Sequence, residues 1–576
     1  MLRPYWRSVL LGALCPPCVG LLSLQVTSWI GGALDALGRI GEGATFDPTR
    51  TCVSLAIAGL AIGVLRFFAR HLLIQTSRHF EADLKRDLVA HLQRLPLPYF
   101  DKAGTGDLIS RLTQDVELVR FMIGPAVLYG ASSVVVIPGA AWLMASLSPA
   151  LAGTILIAFV LMFLSARRIM PRIQAASTQV QEAIGAISDR AVEAFAGIRV
   201  LMSFARARAE NRRLDALSQH YLERNIALTR LRALYNLLIH VATDVVTLAV
   251  LVVGGLEVLG GRLSTGQLFQ FLLLLGLMTW PLIALGWILV TLPRAKAALL
   301  RIEEIFAQSV EPGAQPRDDA SLLPLRGDLD VRGLTFRHAG RDRDALENVS
   351  FSLRAGQKLG LVGPVGSGKS TLLALLLRLY EPPRGTIFLD GEDVLDLDAR
   401  QVRRAFAVAP QDPFLFSDTI DANIRFGAAD AIEALERDAA VATAALDQDL
   451  PELRDGIDTI VGERGVTLSG GQKQRVSLAR ALASDRSVLV LDDTLSAVDH
   501  ATERRILTQL ETARGGRTAL VASHRLSAVA DADLILVLDD GRVVQRGDHA
   551  SLVAEPGVYR RFHRLQAAAE ALEGDA

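Results

Sequence analysis

Residues Gly363-Pro364-Val365-Gly366-Ser367-Gly368-Lys369-Ser370 have the spacing G-x-x-x-x-G-K-[ST], with Thr371 next. Glycines at those places let successive backbone N–H groups turn inward around phosphate oxygens, and a following helix adds positive potential at its N-terminus. Lys369 is placed to reach the β- and γ-phosphates of a nucleotide, and the Ser370 hydroxyl to hold Mg²⁺. The context fits, because 359–362 reads as a strand and 371–379 as a helix. This pattern also arises by chance in loops, so its companions carry weight. Val488-Leu489-Val490-Leu491-Asp492 reads as a buried parallel strand ending in a carboxylate suited to Mg²⁺, and Asp493 comes next. Leu468-Ser469-Gly470-Gly471-Gln472 opens a helix and can cap a phosphate through backbone amides. The strand 518–522 leads into Ser523-His524, whose imidazole can hydrogen-bond a γ-phosphate. Gln411, after Ala409-Pro410, is placed to sense Mg²⁺ or the attacking water.

Other chemistry-bearing residues read more plainly. Cys15-Pro16-Pro17-Cys18 has C-x-x-C spacing, but it lies in an apolar run with no second Cys/His pair nearby. Its prolines are expected to bend a membrane helix, since each removes a backbone donor. Three cysteines, Cys15, Cys18 and Cys52, cannot make a disulfide framework for 576 residues. His240 and Asp244, one helical turn apart in an apolar segment, are either a helix–helix pair or part of a substrate path. Arg66 and Arg70 read as side chains reaching toward the cytoplasmic interface, and Trp280 and Trp287 as interface anchors or pathway lining.

The elements that position these residues fall in two halves. The chain is half hydrophobic with a net charge of -1, a balance that excludes coating nucleic acid. The apolar character is concentrated before about Arg301. Six stretches there are long enough to cross a membrane, centred near Val19, Ile62, Val134, Ile157, Leu248 and Leu275. Short loops with Glu42 and Asp47, with Ser146 to Pro149, and with Gly260 to Ser264 join them in pairs. Two long charged stretches separate the pairs and carry Lys85, Arg86, Arg94, Lys102, Arg111, Arg167, Arg168, Arg199, Arg212, Arg213 and Arg224. The excess of Lys and Arg places those stretches, and both termini, in the cytoplasm. Arg3 and Arg7 precede an apolar run without a small-residue cleavage site, which reads as an uncleaved membrane helix. The tips of the long stretches, near residues 98–107 and 193–199, are expected to dock on the second half. The expected domains are a membrane domain over 1–306, a linker over 307–326, a nucleotide-binding domain over 327–566 and a tail over 567–576. The fold class is therefore an α-helical six-span membrane domain followed by an α/β P-loop cassette.

Together these motifs resemble the ATP-binding cassette (ABC) exporters with six membrane helices and one fused nucleotide-binding domain. Leu468-Ser-Gly-Gly-Gln472 matches that family's signature and is more specific than the phosphate loop. The resemblance implies that Ser496-Ala-Val-Asp499 is the D-loop, Gln411 the Q-loop and His524 the switch histidine. It also implies that Val461-Gly-Glu463-Arg-Gly465 meets the coupling helices. Two cassettes of the family close head to tail, so each ATP, with Mg²⁺, lies between one phosphate loop and the other signature. Two positions depart from the family pattern. Asp493 stands where the family usually has the catalytic Glu, and His338, with Phe336 nearby, stands where an aromatic usually stacks on adenine. Asp493 with an intact signature looks like the slow-site subunit of heterodimeric multidrug exporters, as does the stretch Pro281-Leu-Ile-Ala-Leu-Gly-Trp287. The expected partner is then a second half-transporter with Glu after the Asp that corresponds to Asp492; a homodimer is the alternative. Expected function is ATP-driven export of amphipathic small molecules, in a bacterial inner membrane amid its lipids, with lipid flipping as the alternative. Six spans argue against a soluble DNA-repair ATPase, and the fused cassette against an importer. No peptidase-like segment precedes the first helix, which lowers the expectation of a leader-peptide-processing exporter.

Overall fold

The computed structural model describes residues 3–39, 47–311, 324–428, 432–462, 465, 467–496 and 498–574. Glu42, Glu463, Arg464, Ala497 and most of the expected linker lie outside the described residues. By its contacts the chain forms two units, Met1–Leu88 with Ile109–Ile305, and Val89–Leu108 with Phe306–Ala576.

The first unit is built from long helices, α1 (Trp6–Gly38), α2 (Pro48–Leu92), α3 (Thr105–Leu147), α4 (Pro149–Ala196), α5 (Ala207–Leu259) and α6 (Thr265–Phe306). Their starts follow local chemistry. Asp47 accepts from the Thr49 and Arg50 amides at 2.9 and 3.4 Å ahead of Pro48, and Ser148 accepts from the Leu151 amide at 3.2 Å ahead of Pro149. Ser264 and Gln267 cap each other reciprocally at the start of α6, at 2.9 and 3.1 Å. Five of the six helices meet the length and hydropathy of a membrane span among the described residues. The fourth expected span, near Ile157, lies in α4, where several side chains are outside the described set. Helix α1 continues through Pro16 and Pro17, and Cys15 Sγ donates to the Leu11 carbonyl at 3.5 Å.

Two features hold the first unit together. Leu24, Met144, Leu151, Val250, Phe271, Leu274 and Met278 form one apolar core. At the crossing of α1 and α6, a Cβ on Gly266 would sit 2.0 Å from the Gly31 carbonyl oxygen, so only glycine permits that approach. Asp35 seals it, accepting from the Ser264 hydroxyl at 2.5 Å and the Gly266 amide at 2.7 Å. Many large apolar side chains stay exposed, including Leu14, Leu60, Trp142 and Leu248. That is what helices facing hydrocarbon require, because backbone groups are satisfied internally and lipid tails cover the side chains. His240 and Asp244 are exposed too, whereas Val246 and Val250 farther along α5 are buried. Helices α4 and α5 pair along their length and are joined by the short helix Ile198–Ser203, beside which Phe195, Met202 and Phe204 are strongly exposed.

In the second unit, strands β1 (Leu329–Phe336), β2 (Leu346–Leu353), β4 (Ile387–Leu389) and β5 (Glu392–Asp393) form an antiparallel sheet in the order β2-β1-β4-β5. The other six are β3 (Lys358–Val362), β6 (Phe406–Ala409), β7 (Val488–Asp492), β8 (Thr518–Ala522), β9 (Leu534–Asp539) and β10 (Arg542–Gly547). They pair in the order β10-β9-β3-β8-β7-β6, parallel except for the β9–β10 hairpin. Strands β3 and β8 are buried at every position, and after Lys358 and Thr518 at their starts they read as apolar runs. The segment Val89–Leu108 belongs to this unit. Its short helix Leu97–Lys102 presents Asp101 to the Tyr380 hydroxyl at 2.8 Å, and the Arg94 carbonyl accepts from the Glu311 amide at 3.0 Å. Glu311 in turn pairs with Arg403 through both carboxylate oxygens, at 2.9 and 2.5 Å.

Candidate nucleotide site

Strands β6, β7, β8 and β3 lie side by side and point the same way, so their C-terminal ends form one edge. Adjacent strands are about 4.8 Å apart, so four points of the chain distant in sequence emerge in a row. They are Gln411, Asp492 with Asp493, Ser523 with His524, and the loop at Gly363. The ladder continues past the strands: the Asp493 amide donates to the Ala522 carbonyl at 2.8 Å, and the Ser523 amide to the Leu361 carbonyl at 3.1 Å.

The loop from Gly363 to Gly368 leads into α7 (Lys369–Leu376). A Cβ on Gly363 would meet the Leu538 carbonyl oxygen at 2.2 Å, while Gly366 and Gly368 hold φ of 83° and 101°. Those left-handed turns aim backbone amides into a concavity, the geometry that takes a phosphate. Val365 is fully exposed at the tip, whereas the Ser367 hydroxyl is buried without a hydrogen-bond partner. Lys369 folds back to donate to the Gly363 and Pro364 carbonyls at 2.8 and 2.9 Å. Burial holds its ammonium below the ordinary lysine range, and the nearby carboxylates of Asp493 and Asp492 oppose that shift.

Asp492 ends β7 within hydrogen-bonding reach of the Ser370 hydroxyl. Burial pushes its carboxyl above the usual carboxylate range; Ser370 and Lys369 pull it down, and Asp493 and Asp412 push it up. A hard divalent cation with a few water or phosphate oxygens fits such a hydroxyl–carboxylate pair. Asp493 adopts φ of 47°, in the left-handed region that Asp tolerates better than most residues. Its Oδ1 lies 2.7 Å from His524 Nδ1, so the two candidate catalytic side chains touch each other. Gln411 is exposed beside them in sequence order on the β6 end.

Ser469 is the N-cap of α8 (Gly470–Leu482). Its hydroxyl accepts from the Gln472 amide at 3.2 Å, and its own amide donates to Gln472 Oε1 at 2.9 Å. Leu468 is buried beneath, while Gly470 has nothing within 4 Å of a Cβ position, leaving the first turn open to a ligand. Asp499 caps α9 (His500–Ala513), accepting from the Ala501 and Thr502 amides at 3.0 Å each. The Thr502 amide leads the contacts that hold its carboxyl below the usual range. His338 Nε2 lies 3.3 Å from Thr371 Oγ1, just beyond the phosphate loop. Its ring meets Phe336 and Tyr380 edge-on at 5.1 and 5.0 Å.

Sequence reading missed several residues that hold this site. Tyr380 completes the ring cluster around His338 and carries the Asp101 contact; its only signal was an aromatic after the P-loop helix. Gln566, on α10 (Val558–Gly574), brackets the switch histidine by donating to the His524 carbonyl at 2.5 Å and accepting from the Leu526 amide at 2.9 Å. Arg525, Glu503 and Gln474 join the loops around the site, and their spacing along the chain gave no hint of contact.

Comparison with known proteins supplies the context for this geometry. Residues 9–282 match the ABC transporter transmembrane region, and residues 346–496 match the ABC transporter family of cassettes. The chain is 32% identical to a probable multidrug resistance ABC transporter ATP-binding/permease protein, YheI, of Bacillus subtilis, over 100% of this chain and 98% of that protein. It is 35% identical to the multidrug resistance-like ATP-binding protein MdlA of Escherichia coli, over 90% and 88%. An ATP-dependent lipid A-core flippase of Photobacterium profundum is 34% identical, over 88% and 87%. A solved structure of a bacterial Atm1-family ABC exporter with ATP bound superposes with a TM-score of 0.74 at 26% identity, covering 98% of this chain and 99% of the other.

Proposed function

The chain belongs to the ABC exporters, integral membrane proteins in which an ATPase cassette drives transport, and from that premise we propose that it exports amphipathic small molecules, drugs or lipids, as the slow-site half of an unequal pair in a bacterial inner membrane. The observation that carries this reading is the Asp493–His524 contact at 2.7 Å beside Lys369 and Asp492.

In this reading Gly366, Gly368 and the α7 N-terminus cradle the ATP phosphates, and Lys369 swings from its loop carbonyls to the β- and γ-phosphates. Ser370 and Asp492, with Gln411, would hold Mg²⁺, which when bound would neutralise charge developing on the phosphates. His338 lies against the adenine, steadied by Phe336 and Tyr380. Asp493 orients the attacking water, but its side chain is one C–C bond, about 1.5 Å, shorter than Glu. A misplacement of that order costs about 100-fold in rate. Ser469, Gly470 and Gly471, with Asp499, face the ATP of the other cassette, where a Glu base makes a fast site. Identity to both multidrug-type proteins and lipid A-core flippases supports an amphipathic cargo and leaves drug and lipid as its two forms.

The test compares two variants in the assembled transporter. Ser469→Arg is expected to abolish nearly all ATP hydrolysis, because a long cation blocks closure over the fast site. Asp493→Asn is expected to cost less than about threefold, because the site it serves already turns over slowly. If Asp493→Asn is as inactive as Ser469→Arg, the unequal-pair reading is wrong and a symmetric pair replaces it.

A further inference from the structure

His524 is followed by an arginine whose side chain does not point to the nucleotide edge. Arg525 turns the other way. Its Nη1 donates to the Val498 carbonyl at 3.1 Å and its Nη2 to the Ser496 carbonyl at 3.2 Å. The guanidinium also pairs with the carboxylate of Glu503, whose side chain is 2% exposed. That carboxylate's other oxygen accepts from the Ser527 hydroxyl at 2.6 Å. On the far side of the same loop, Ser496 Oγ accepts from buried Gln474 Nε2 at 3.0 Å, and Gln474 belongs to α8, the helix that Ser469 caps. The Arg525 amide is itself tied to the Ser523 hydroxyl at 3.0 Å.

We infer that Arg525 is a positioning residue that fixes Ser496 and Val498 and, through Gln474, the helix capped by Ser469, against the end of the strand that leads into His524. A planar guanidinium can span two carbonyls and a carboxylate at once, in fixed directions, which an ammonium cannot. The turn's own bonds run from the Ser496 and Val498 amides to the Asp493 and Leu495 carbonyls at 3.2 and 3.3 Å, and the carbonyls of Ser496 and Val498 need a donor to hold their direction. The fork supplies that direction. Glu503 aims the fork, since a buried carboxylate holds its cation in place more strictly than solvent does. The arrangement ties the groups that serve this chain's own ATP to those that face the partner's ATP. This inference rests on the reading of Ser469 and Asp499 as residues facing the partner's nucleotide.

The decisive substitution is Arg525→Lys in the assembled transporter. Lysine keeps the charge opposite Glu503 and so preserves folding, but it cannot reach both carbonyls. Expected is a fall in kcat for ATP of about tenfold or more, with KM for ATP within about threefold and the melting temperature unchanged. A purely structural ion pair would be rescued by lysine, so a wild-type kcat overturns the inference, as does a raised KM with normal kcat. Glu503→Gln is the second arm if the lysine variant does not accumulate. It leaves an oxygen in place but removes the charge that aims the fork, and a kcat loss of at least about threefold is expected; no loss overturns the inference. Ser469→Arg runs alongside. Full activity there defeats the reading of the signature itself, whereas an inactive Ser469→Arg beside a fully active Arg525→Lys defeats only the role of Arg525.

Discussion

Lys369 turns its ammonium onto its own loop, donating to the Gly363 and Pro364 carbonyls, which in the proposed function give way to phosphate oxygens. Replacing it by Ala removes a charge-assisted contact worth about 1.5–3 kcal/mol, or roughly 10- to 100-fold in ATP affinity. Equilibrium binding of ATP to the full-length protein checks this, and unchanged affinity would remove Lys369 from the site. Tyr559 makes a residue-scale prediction about stability. It is fully buried, its hydroxyl lies 2.7 Å from His549 Nδ1, and burial raises its phenol from an ordinary value of 10.0 to about 12. The raised folded value favours the neutral phenol, so stability is intact below pH 10 and declines as pH rises toward about 12. Thermal melts of Tyr559→Phe across that window should lack this part of the decline; an identical alkaline slope would refute the assignment. Residues such as Lys369 and Ser469 are legible in sequence because a short motif fixes both their type and their local backbone. Tyr380 and Arg525 are not, because their partners are 279 and 22 to 29 positions away along the chain.

At the scale of elements, the parallel ladder explains why the motifs could be read in order without a structure. The Gly363 loop, Gln411, Asp492 with Asp493, and His524 each end or follow a strand of the same direction, so sequence order and strand direction place them on one edge. The short helix Leu97–Lys102 is different. It comes from the chain between α2 and α3, yet it belongs to the cassette unit through Asp101 and Tyr380. The Tyr380 ring also meets His338, which contacts Thr371 of the phosphate-loop helix. A route of four side chains therefore leads from this helix to the nucleotide edge. Burial, then the Asp101 hydrogen bond, raises the Tyr380 phenol above its ordinary range, consistent with its hydroxyl donating to Asp101. Tyr380→Phe keeps the ring cluster and loses the bond to Asp101. ATPase activity should fall less than about twofold, while substrate transported per ATP falls by about threefold or more. Reconstituted vesicles measure both, and an unchanged ratio would show that this contact carries no coupling.

At the scale of the whole molecule, hydropathy separated a helical membrane half from an α/β cassette, because lipid and water select side chains so differently that twenty-residue averages reveal the solvent. Phosphate chemistry was equally legible: a loop that wraps an anion needs glycines, a lysine and a hydroxyl at fixed intervals, whatever surrounds it. Helix starts at Asp47 and Ser148 were written locally in the same way. The length of the first charged stretch led to the expectation that its tip near 98–107 docks on the second half, but the side chains that meet there, Asp101 and Tyr380, were not legible, since no local pattern reports which distant residue a helix tip will meet. Nor was the Gly31–Gly266 crossing, where each glycine looks ordinary until the other approaches. The sequence by itself thus determined the solvent of each half and the ligand chemistry of the cassette, because both act through neighbours in the chain. Tertiary structure alone decided that Asp493 meets His524, that Arg525 grips the loop at Ser496, and that Gln566 brackets His524. Those contacts depend on side chains brought together across the sheet edge, and their directions are set by the packing of whole elements.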